Sequence, residues 1–422
     1  MKKFHPAWAA AVVTFFTLVA TAGFRAAPSV LILPLQDAFG WSRAQISLSI
    51  SVNVLVYGFT APFAAAIMEK FGVRKTVMVA LGIVGTGALA TVFISKPWHL
   101  VLLWGLLVGG GTGAMALVFA ATIVGRWFVH RRGIVIGVLT AASAAGQLIF
   151  LPGLSWLSLH HGWRSISLTV GGGAIAMVPL IFFLLKEKPA DIGMLPYGAP
   201  DDWQEPVKVS GNAFAETIST LRDAMKLRDF WILAGSFFIC GLSTSGLVGT
   251  HLIAAAHDHG MPQVTAASLL ALVGVFDVIG TIASGWLTDR IDPRKLLFFY
   301  YFLRGISLFL LPVILFPSIH AKTLVFVIFY GLDWVATVPP TVILCRRLLS
   351  SSRGVVVYGW VFTAHQLGGA TAAYGAAVLR VKFGNYALAF YIAGVLCILA
   401  AVSVLQIGRT DSSEKVREGA TA

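Results

Sequence analysis

The sequence predicts an all-α polytopic membrane protein with twelve transmembrane helices in two six-helix bundles. Of its 422 residues, 57% are hydrophobic and only 12% are charged, whereas soluble domains carry roughly 25% charged residues. Apolar stretches of about 20 residues, the length that crosses a bilayer, recur along the whole chain. A charged turn between two such stretches appears twice, about half a chain apart. These observations exclude a soluble enzyme that carries a single membrane anchor.

Twelve apolar segments have the length of a membrane span. They are residues 9–34, 43–68, 76–95, 98–125, 133–158, 165–185, 230–254, 264–288, 296–315, 321–345, 354–379 and 386–407. The long polar stretch 186–228 contains four prolines and separates the first six segments from the last six. We therefore predict an N-terminal bundle at 1–185, a linker at 186–228 with a short amphipathic helix at 213–225, a C-terminal bundle at 229–407 and a cytoplasmic tail at 408–422.

The repeated charged turn lies between spans 2 and 3 and again between spans 8 and 9. The acid of the first copy is residue 69 and that of the second is residue 289, an offset of 220 residues. Repeated elements at one offset indicate a duplicated chain whose halves run in the same direction, as in two-bundle transporters. We predict a charged latch that breaks when the halves move; the simpler alternative is a basic loop that only fixes orientation. The predicted latch residues are Glu69, Arg74, Asp289, Arg290 and Arg294.

Lysine and arginine are unevenly divided between the two faces of this arrangement. Of the 31, 23 fall on the face that carries the amino terminus, six on the opposite face, and two, Arg25 and Arg304, within spans. Cytoplasmic loops carry an excess of positive charge, so we predict both termini in the cytoplasm of a multi-pass protein of the bacterial inner membrane. The same division explains the net charge of +13 without a nucleic-acid partner.

Two motifs resemble known transporters. The pattern Gly285-x-x-x-Asp289-Arg290-x-x-x-Arg294-Lys295 resembles the signature loop of the major facilitator superfamily. Residues 126–133, RWFVHRRG, resemble the segment that opens the fifth helix in monocarboxylate porters and oxalate/formate antiporters. Residues 39–43, 162–164 and 188–193 fit bacterial members of that group. The resemblance covers essentially the whole chain and implies the major facilitator fold, with helices 1, 4, 7 and 10 lining a cavity beside helices 2, 5, 8 and 11.

Two positions depart from the resembled group. In mammalian-type monocarboxylate porters the eighth helix carries an aspartate followed four residues later by an arginine, but Asp277 is followed here by Thr281. The first-span lysine of those porters is also absent, and the region begins at Arg25. We predict that Arg25 supplies the missing cation and binds the substrate anion. The alternative is that Arg25 pairs with an acid for structural reasons.

Four ionisable residues fall near the middle of predicted spans: Arg25, Asp277, Arg304 and Asp333. Counted from the nearest span end at ~1.5 Å per residue, they lie about 14 to 20 Å deep. Charges at this depth are costly and indicate function or pairing. Asp277 and Asp333 are candidate proton carriers, and the resemblance places Asp333 on the cavity lining. Arg304, on an outer helix by the same resemblance, is a candidate structural partner of Asp277.

Polar side chains at similar depth complete the predicted substrate site. They are Asn53, Tyr57, Gln147, His365 and Gln366. His365 titrates in a range suited to proton coupling, or it serves as a neutral hydrogen-bonding group. The chain has no glycine-rich phosphate loop, so we predict neither ATP drive nor another cofactor. The histidines at 251, 257 and 259 lack a fourth ligand in the sequence, so we predict no metal site.

The leading interpretation is a secondary active transporter and not an enzyme. We expect it to move a small organic anion, a monocarboxylate, by alternating access and as a monomer, with proton symport implied by the resemblance. Two alternatives stay open. A multidrug or metabolite efflux transporter would have a larger and more aromatic cavity, and a membrane sensor with a transporter fold would bind its ligand without moving it.

Overall fold

The computed structural model describes residues 5–115, 117–200, 203, 213–288, 290–349 and 351–408. Within these ranges the structure does not describe the side chains of residues 65, 117, 118, 132–134, 136, 137, 140–149, 213, 351 and 352. The described chain is almost entirely α-helical, and its only β-type pairing is an isolated bridge between Phe128 and Tyr197.

Six long helices form the first half. They are α1 (Pro6–Phe39), α2 (Arg43–Phe71), α3 (Val73–Ala90), α4 (Pro97–Trp127), α5 (Arg132–His161) and α6 (Trp163–Leu184). The turn between α1 and α2 shows how the sequence sets these ends. Gly40, at φ 68°, closes α1 in the left-handed conformation that favours glycine, and Ser42 with Gln45 forms a capping box that starts α2.

Six further helices form the second half. They are α7 (Arg228–Asp258), α8 (Gln263–Thr288), α9 (Pro293–Ile314), α10, α11 (Ser351–Phe383) and α12 (Ala387–Val404). The tenth consists of two pieces, α10a (Ala321–Asp333) and α10b (Val338–Leu348). A shorter linker helix, Ala213–Ala224, precedes this half at the position expected from its amphipathic sequence.

Ten of these helices are long and apolar enough to cross a membrane within the described residues. The other two, α5 and α11, are 30 and 33 residues long, which exceeds the ~20 residues that a span requires. The predicted all-α fold with twelve transmembrane helices is thereby confirmed. Several helices extend past the predicted segments, as α1 does at both ends, because an apolar run marks only the hydrocarbon core.

The two halves pack along two seams, α2 against α11 and α5 against α8. In the first seam, the Ser51 hydroxyl donates to the Ala370 carbonyl at 2.8 Å, and the Thr363 hydroxyl donates to the Gly58 carbonyl at 3.0 Å. Gly58 permits this approach, since a Cβ there would lie 2.5 Å from Cβ of Gln366. The seam sets the middle of α2 beside the middle of α11, where the candidate site lies.

The described ends of the chain, His5 and Gly408, share one face of the molecule with the linker helix Ala213–Ala224, and we call it the terminal face. The turns α1–α2, α7–α8 and α11–α12 lie at the other end of the helices, which we call the opposite face.

Candidate functional site

Arg25 is an exposed cation in the middle of a buried helix. Its neighbours Phe24, Ala26 and Ala27 are all buried, whereas Arg25 itself is exposed. Its guanidinium lies over the ring of Tyr57, at 5.7 Å from the ring centroid, and Tyr57 is only 8% exposed. Because this partner ring is buried between helices, Arg25 faces the protein interior and not the lipid. Within the described residues it has no ion-pair or hydrogen-bond partner.

A row of rings leads from Arg25 to the second half. Tyr57 on α2 contacts Phe362 on α11 with centroids 6.1 Å apart, and Phe362 stacks on His365 at 5.7 Å and 7°. His365 also contacts Phe237 of α7 at 4.8 Å, and its Nδ1 is buried without a hydrogen-bond partner in the described residues. We call Arg25, Tyr57, Phe362 and His365 the central cluster, which spans both halves.

A glycine on α7 sets the position of His365. A Cβ at Gly241 would lie 1.8 Å from the backbone oxygen of His365, a separation that no side chain can occupy. Without a side chain at 241, the α11 backbone lies directly against α7. This close crossing holds His365 beside Phe237.

Two other predicted substrate residues, Asn53 and Gln366, have different surroundings. The Asn53 amide donates to the Trp104 carbonyl at 2.7 Å and so links α2 to α4. Gln366 is buried against Gly58 in the seam between the halves. Gln147 lies outside the described side chains. The structure therefore brings Arg25, Tyr57 and His365 together, while Asn53 and Gln366 lie in contacts between helices.

Arg304 is fully enclosed and bound on every side. Its Nε donates to Asp333 Oδ2 at 2.5 Å, its Nη2 to the Asp333 carbonyl at 2.6 Å, and its Nη1 to Cys240 Sγ at 2.9 Å. Arg304 is therefore a structural partner, but the expected pair with Asp277 is wrong. Asp333 takes its place because the end of α10a, and not α8, faces the guanidinium. The resemblance had implied that Asp333 lines the cavity. In the structure Asp333 is instead buried against α9.

The break in α10 explains why charges are buried at this depth. Residues 334–337 leave the helix between α10a and α10b, so carbonyls at the end of α10a and N–H groups at the start of α10b lose their helical partners. Arg304 takes up the freed carbonyls of Asp333 and Trp334, the latter at 3.4 Å. A cation at a helix carboxyl end and an anion at an amino end are both favourable.

Asp277 binds the backbone inside the same break. Its Oδ1 accepts from the Val335 backbone N–H at 3.0 Å and from the Thr281 hydroxyl at 3.0 Å. Thr281 stands where the resembled porters carry arginine, so this aspartate is held by neutral donors alone among the described residues. It is also buried, at 6% exposure. A carboxyl group in these surroundings can be neutral or charged without losing a salt bridge.

The first copy of the charged turn is organised by an acid that the motif does not contain. Glu187, after α6, accepts from the backbone N–H groups of Val73 and Arg74 at 2.9 and 2.8 Å and pairs with Arg126 at 3.0 Å. The Arg74 side chain lies 4.6 Å from the Phe182 ring centroid. Glu69 is exposed and forms no ion pair among the described residues.

The second copy makes local contacts as well. Arg294 binds Asp292 and donates to the Ile407 carbonyl at 2.9 Å, and this arginine holds the pKa of the Asp292 carboxyl at about 2, below its ordinary value. Arg290 lies 4.0 Å from the Trp286 ring centroid. Asp289 lies outside the described residues. None of the contacts described at these two turns joins one half to the other, so the latch stays a prediction.

Sequence reasoning missed Glu187, Asp292 and a group of ion pairs at the opposite face. Glu187 follows a span within the Lys-rich stretch 186–188, and nothing in its spacing marks it as a cap for α3. Among the described residues, no group of three or more His, Cys, Asp and Glu side chains lies close enough to hold a metal ion.

The central cluster, the broken α10 and the two six-helix halves define a polytopic membrane transport protein. The family model of the Major Facilitator Superfamily matches residues 13–373. The chain therefore belongs to this superfamily of transporters and is not an enzyme.

Individual relatives agree with this assignment. The chain is 27% identical over 414 residues to the MFS-type transporter YcxA of Bacillus subtilis, covering 94% of this chain and 93% of that one. It is 28% identical over 403 residues to monocarboxylate transporter 13 of Bos taurus, covering 94% and 88%. The crystal structure of a D-xylose-proton symporter superposes with a TM-score of 0.72 at 15% identity, covering 95% and 97%, which shows the shared fold alone.

Proposed function

We propose that this protein carries a small monocarboxylate across the membrane by alternating access, together with a proton. The observation that supports the proposal most directly is Arg25, an interior guanidinium that has no ion-pair or hydrogen-bond partner among the described residues. An unpaired charge in the membrane interior is costly, and a transported carboxylate would remove that cost while it is bound. The relatives named monocarboxylate transporters support the same substrate class.

The central cluster suits a small anion with an apolar part. The guanidinium of Arg25 offers two parallel hydrogen bonds to a carboxylate, which loses its hydration on entry. Tyr57 and Phe362 provide ring surface for a short hydrocarbon part. His365, with its unpartnered Nδ1, is positioned to bond a second polar group of the substrate from the other half. We propose Asn53 and Gln366 as outer members of this site, and Gln147 stays a predicted member.

We assign the proton to Asp277 ahead of Asp333. Asp333 is bound to Arg304 at 2.5 Å, and protonation would break this buried ion pair. Asp277 accepts only from Thr281 and Val335 among the described residues, so it can take a proton with both neighbours still in place. Protonation weakens the hydrogen bond that Asp277 accepts from the Val335 N–H inside the break, because a neutral carboxyl oxygen is a poorer acceptor than a carboxylate. The protonation state of Asp277 would thereby alter the backbone conformation at the α10 break.

The proposed movement is a rocking of residues 1–185 against 229–407, with 186–228 as the connecting linker. The latch residues Glu69, Arg74, Asp289, Arg290 and Arg294 would meet across the halves in another state of the cycle. The excess of Lys and Arg at the terminal face assigns that face to the cytoplasm. We accordingly propose the bacterial inner membrane as the location and a monomer as the working unit.

Counterflow into proteoliposomes tests this function. Vesicles loaded with unlabelled lactate or pyruvate should transiently accumulate the labelled compound, and an inward proton gradient should increase its uptake. Vesicles loaded with tetraphenylphosphonium, a lipophilic cation, should show no counterflow.

Each outcome has a defined meaning. Counterflow of the lipophilic cation without the monocarboxylates would replace the proposal by the efflux alternative. Binding of a monocarboxylate without any counterflow would replace it by the sensor alternative. The variant Lys96→Gln, which removes an exposed cation in the loop before α4, serves as a control and should leave counterflow unchanged.

A further inference from the structure

Three ionic side chains meet at the opposite face, far from the central cluster. Asp258 ends α7 and accepts from two arginines at once. Arg43, at the start of α2, donates to both of its oxygens at 2.7 and 2.8 Å. Arg380, near the end of α11, donates to the same oxygens at 2.7 and 3.3 Å. Arg43 belongs to the first half of the chain, whereas Asp258 and Arg380 belong to the second.

The cluster is largely removed from solvent. The Arg43 side chain is 7% exposed and that of Asp258 is 15% exposed. Tyr386, before α12, covers Arg43 with its ring centroid 5.7 Å away and its hydroxyl oxygen 3.4 Å from Nη1. A second bond crosses the halves nearby, since the Gln263 side chain donates to the Val30 carbonyl at 3.1 Å. In this conformation the halves are therefore joined at the opposite face.

We propose that Arg43, Asp258 and Arg380 form a clasp that closes the opposite face and opens during transport. This inference rests on the proposed alternating-access function, although the clasp itself is independent of the substrate. Opening would break the two Arg43–Asp258 bonds and the Arg43–Tyr386 contact, because these are the contacts of the clasp that cross between the halves.

Each charge keeps a partner within its own half when the clasp opens. Arg43 retains Gln36 of α1, whose Oε1 accepts from Nε at 3.0 Å. Asp258 retains Arg380. Stripping a buried ion of its only partner is strongly unfavourable, and this arrangement avoids it on both sides. The clasp can therefore have two stable states, which is what a reversible gate requires.

Arg380 has a less obvious effect on the equilibrium between the open and closed states of the clasp. In the closed state two arginines share one carboxylate, so they repel each other and compete for the same oxygens. In the open state Arg43 is absent, and Arg380 has Asp258 to itself. Arg380 therefore stabilises the open state relative to the closed one. Removal of Arg43 and removal of Arg380 should consequently shift the gate in opposite directions.

Single-molecule FRET on the purified full-length protein in nanodiscs measures this shift. Dyes on Ala38→Cys, after the membrane part of α1, and on Ile319→Cys, before α10a, report separation of the halves at the opposite face. Ile319 is exposed and Ala38 lies at the accessible end of its helix, and the three native cysteines are buried and free. The measurement needs no substrate.

Arg43→Gln should raise the ratio of open to closed molecules by about tenfold or more, as expected for a desolvated charge pair that loses one partner. Asp258→Asn should shift it in the same direction. Arg380→Gln should lower the frequency of opening below that of the parent protein. Lys382→Gln removes an exposed charge two residues away, whose described contact is the Phe383 ring, and should change nothing.

The proposal fails if Arg43→Gln leaves the FRET distribution unchanged, or if Arg380→Gln increases opening as Arg43→Gln does. Its failure is distinguishable from failure of the proposed function. Normal FRET shifts without monocarboxylate counterflow would retain the clasp and remove the substrate assignment. Monocarboxylate counterflow without any FRET shift would retain the transport function and remove the clasp.

Discussion

The two arginines of the membrane interior, Arg25 and Arg304, lie at similar depth and have opposite surroundings. Arg304 is 1% exposed and donates to a carboxylate, two carbonyls and a sulfur. Arg25 is exposed to the interior, and within the described chain it contacts only the Tyr57 ring. The comparison shows that depth in the membrane does not decide the role of a charge. The number of partners that the fold supplies decides it.

The difference follows from the helices that carry them. Arg304 on α9 faces the break in α10, which exposes carbonyls that only a donor can satisfy. Arg25 on α1 faces the ring of Tyr57, which offers no hydrogen-bond acceptor comparable to those carbonyls. We therefore assign Arg304 a structural role in the second half and Arg25 a role in substrate binding.

The largest expected effect is a loss of stability in Arg304 variants, and it tests the structural role assigned to Arg304. Arg304→Ala leaves the Asp333 carboxylate and the carbonyls of the α10 break unpaired in the bundle interior. Removal of one partner of a buried pair costs about 3–5 kcal/mol, so this variant should give little folded protein. Arg25→Gln should be produced normally. Yield and thermal unfolding of the purified variants are the measurements.

A double variant separates loss of the pair from loss of packing. Arg304→Met with Asp333→Leu removes both charges, and it should unfold at a higher temperature than Arg304→Ala. Equal losses in Arg304→Ala and Arg25→Gln would contradict the contrast between the two arginines.

The second prediction extends the comparison to the two aspartates. Asp277→Asn keeps an oxygen that can accept from Thr281 and Val335 but cannot take a proton in transport. We expect stable protein that exchanges monocarboxylate across the membrane and no longer accumulates it in response to a proton gradient. Counterflow and gradient-driven uptake, measured side by side in proteoliposomes, test this. Gradient-driven accumulation at the parent level would show that the proton travels elsewhere.

Much of the fold and part of the site can be predicted from the sequence. Hydropathy and length predict the helices, and a lone cation within an apolar run is enough to mark Arg25 as a candidate site residue. Pairing is harder to predict, because it depends on which helix faces which. Along the chain, Asp277 lies 27 residues from Arg304 and Asp333 lies 29 residues from it, so Asp277 is slightly closer in sequence. The break in α10 nevertheless turns Asp333 towards Arg304.

The clasp was missed for a similar reason. Arg43 and Arg380 are two of the six Lys and Arg residues that the sequence assigns to the opposite face, and no pattern marks either of them as paired. Asp258 lies 215 residues beyond Arg43, and no repeat or motif connects them. Local sequence patterns indicate how deep a residue lies in the membrane and where a helix ends. Contacts between the halves depend on how the helices pack, which these patterns do not indicate.

The smallest expected effect comes from an arginine outside the membrane, which serves as a reference for the buried ones. Arg353 pairs with Asp223 of the linker helix at 2.7 Å. This bond and a second from Lys226 lower the pKa of Asp223 from 3.8 to about 2. Because the folded-state pKa is depressed, the resulting stability is fully present above pH ~4 and is lost as the pH falls towards ~2.

Asp223→Asn should therefore reduce the unfolding temperature slightly at pH 6 and not at all near pH ~2. Thermal unfolding of the parent and the variant across this range is the measurement. A difference that grows as the pH falls would contradict the assigned pairing, because it would require the carboxylate to be destabilising in the folded protein.

Equilibrium binding of a monocarboxylate to Arg25 variants tests the central claim most directly. Isothermal titration of the purified protein with lactate or pyruvate should give binding to the parent. Arg25→Lys should bind roughly tenfold more weakly, because lysine keeps the charge without the planar fork, and Arg25→Gln should show no measurable binding. Unfolding temperatures near that of the parent would confirm that the loss is local. If Arg25→Gln binds the anion as tightly as the parent protein, Arg25 does not bind the cargo.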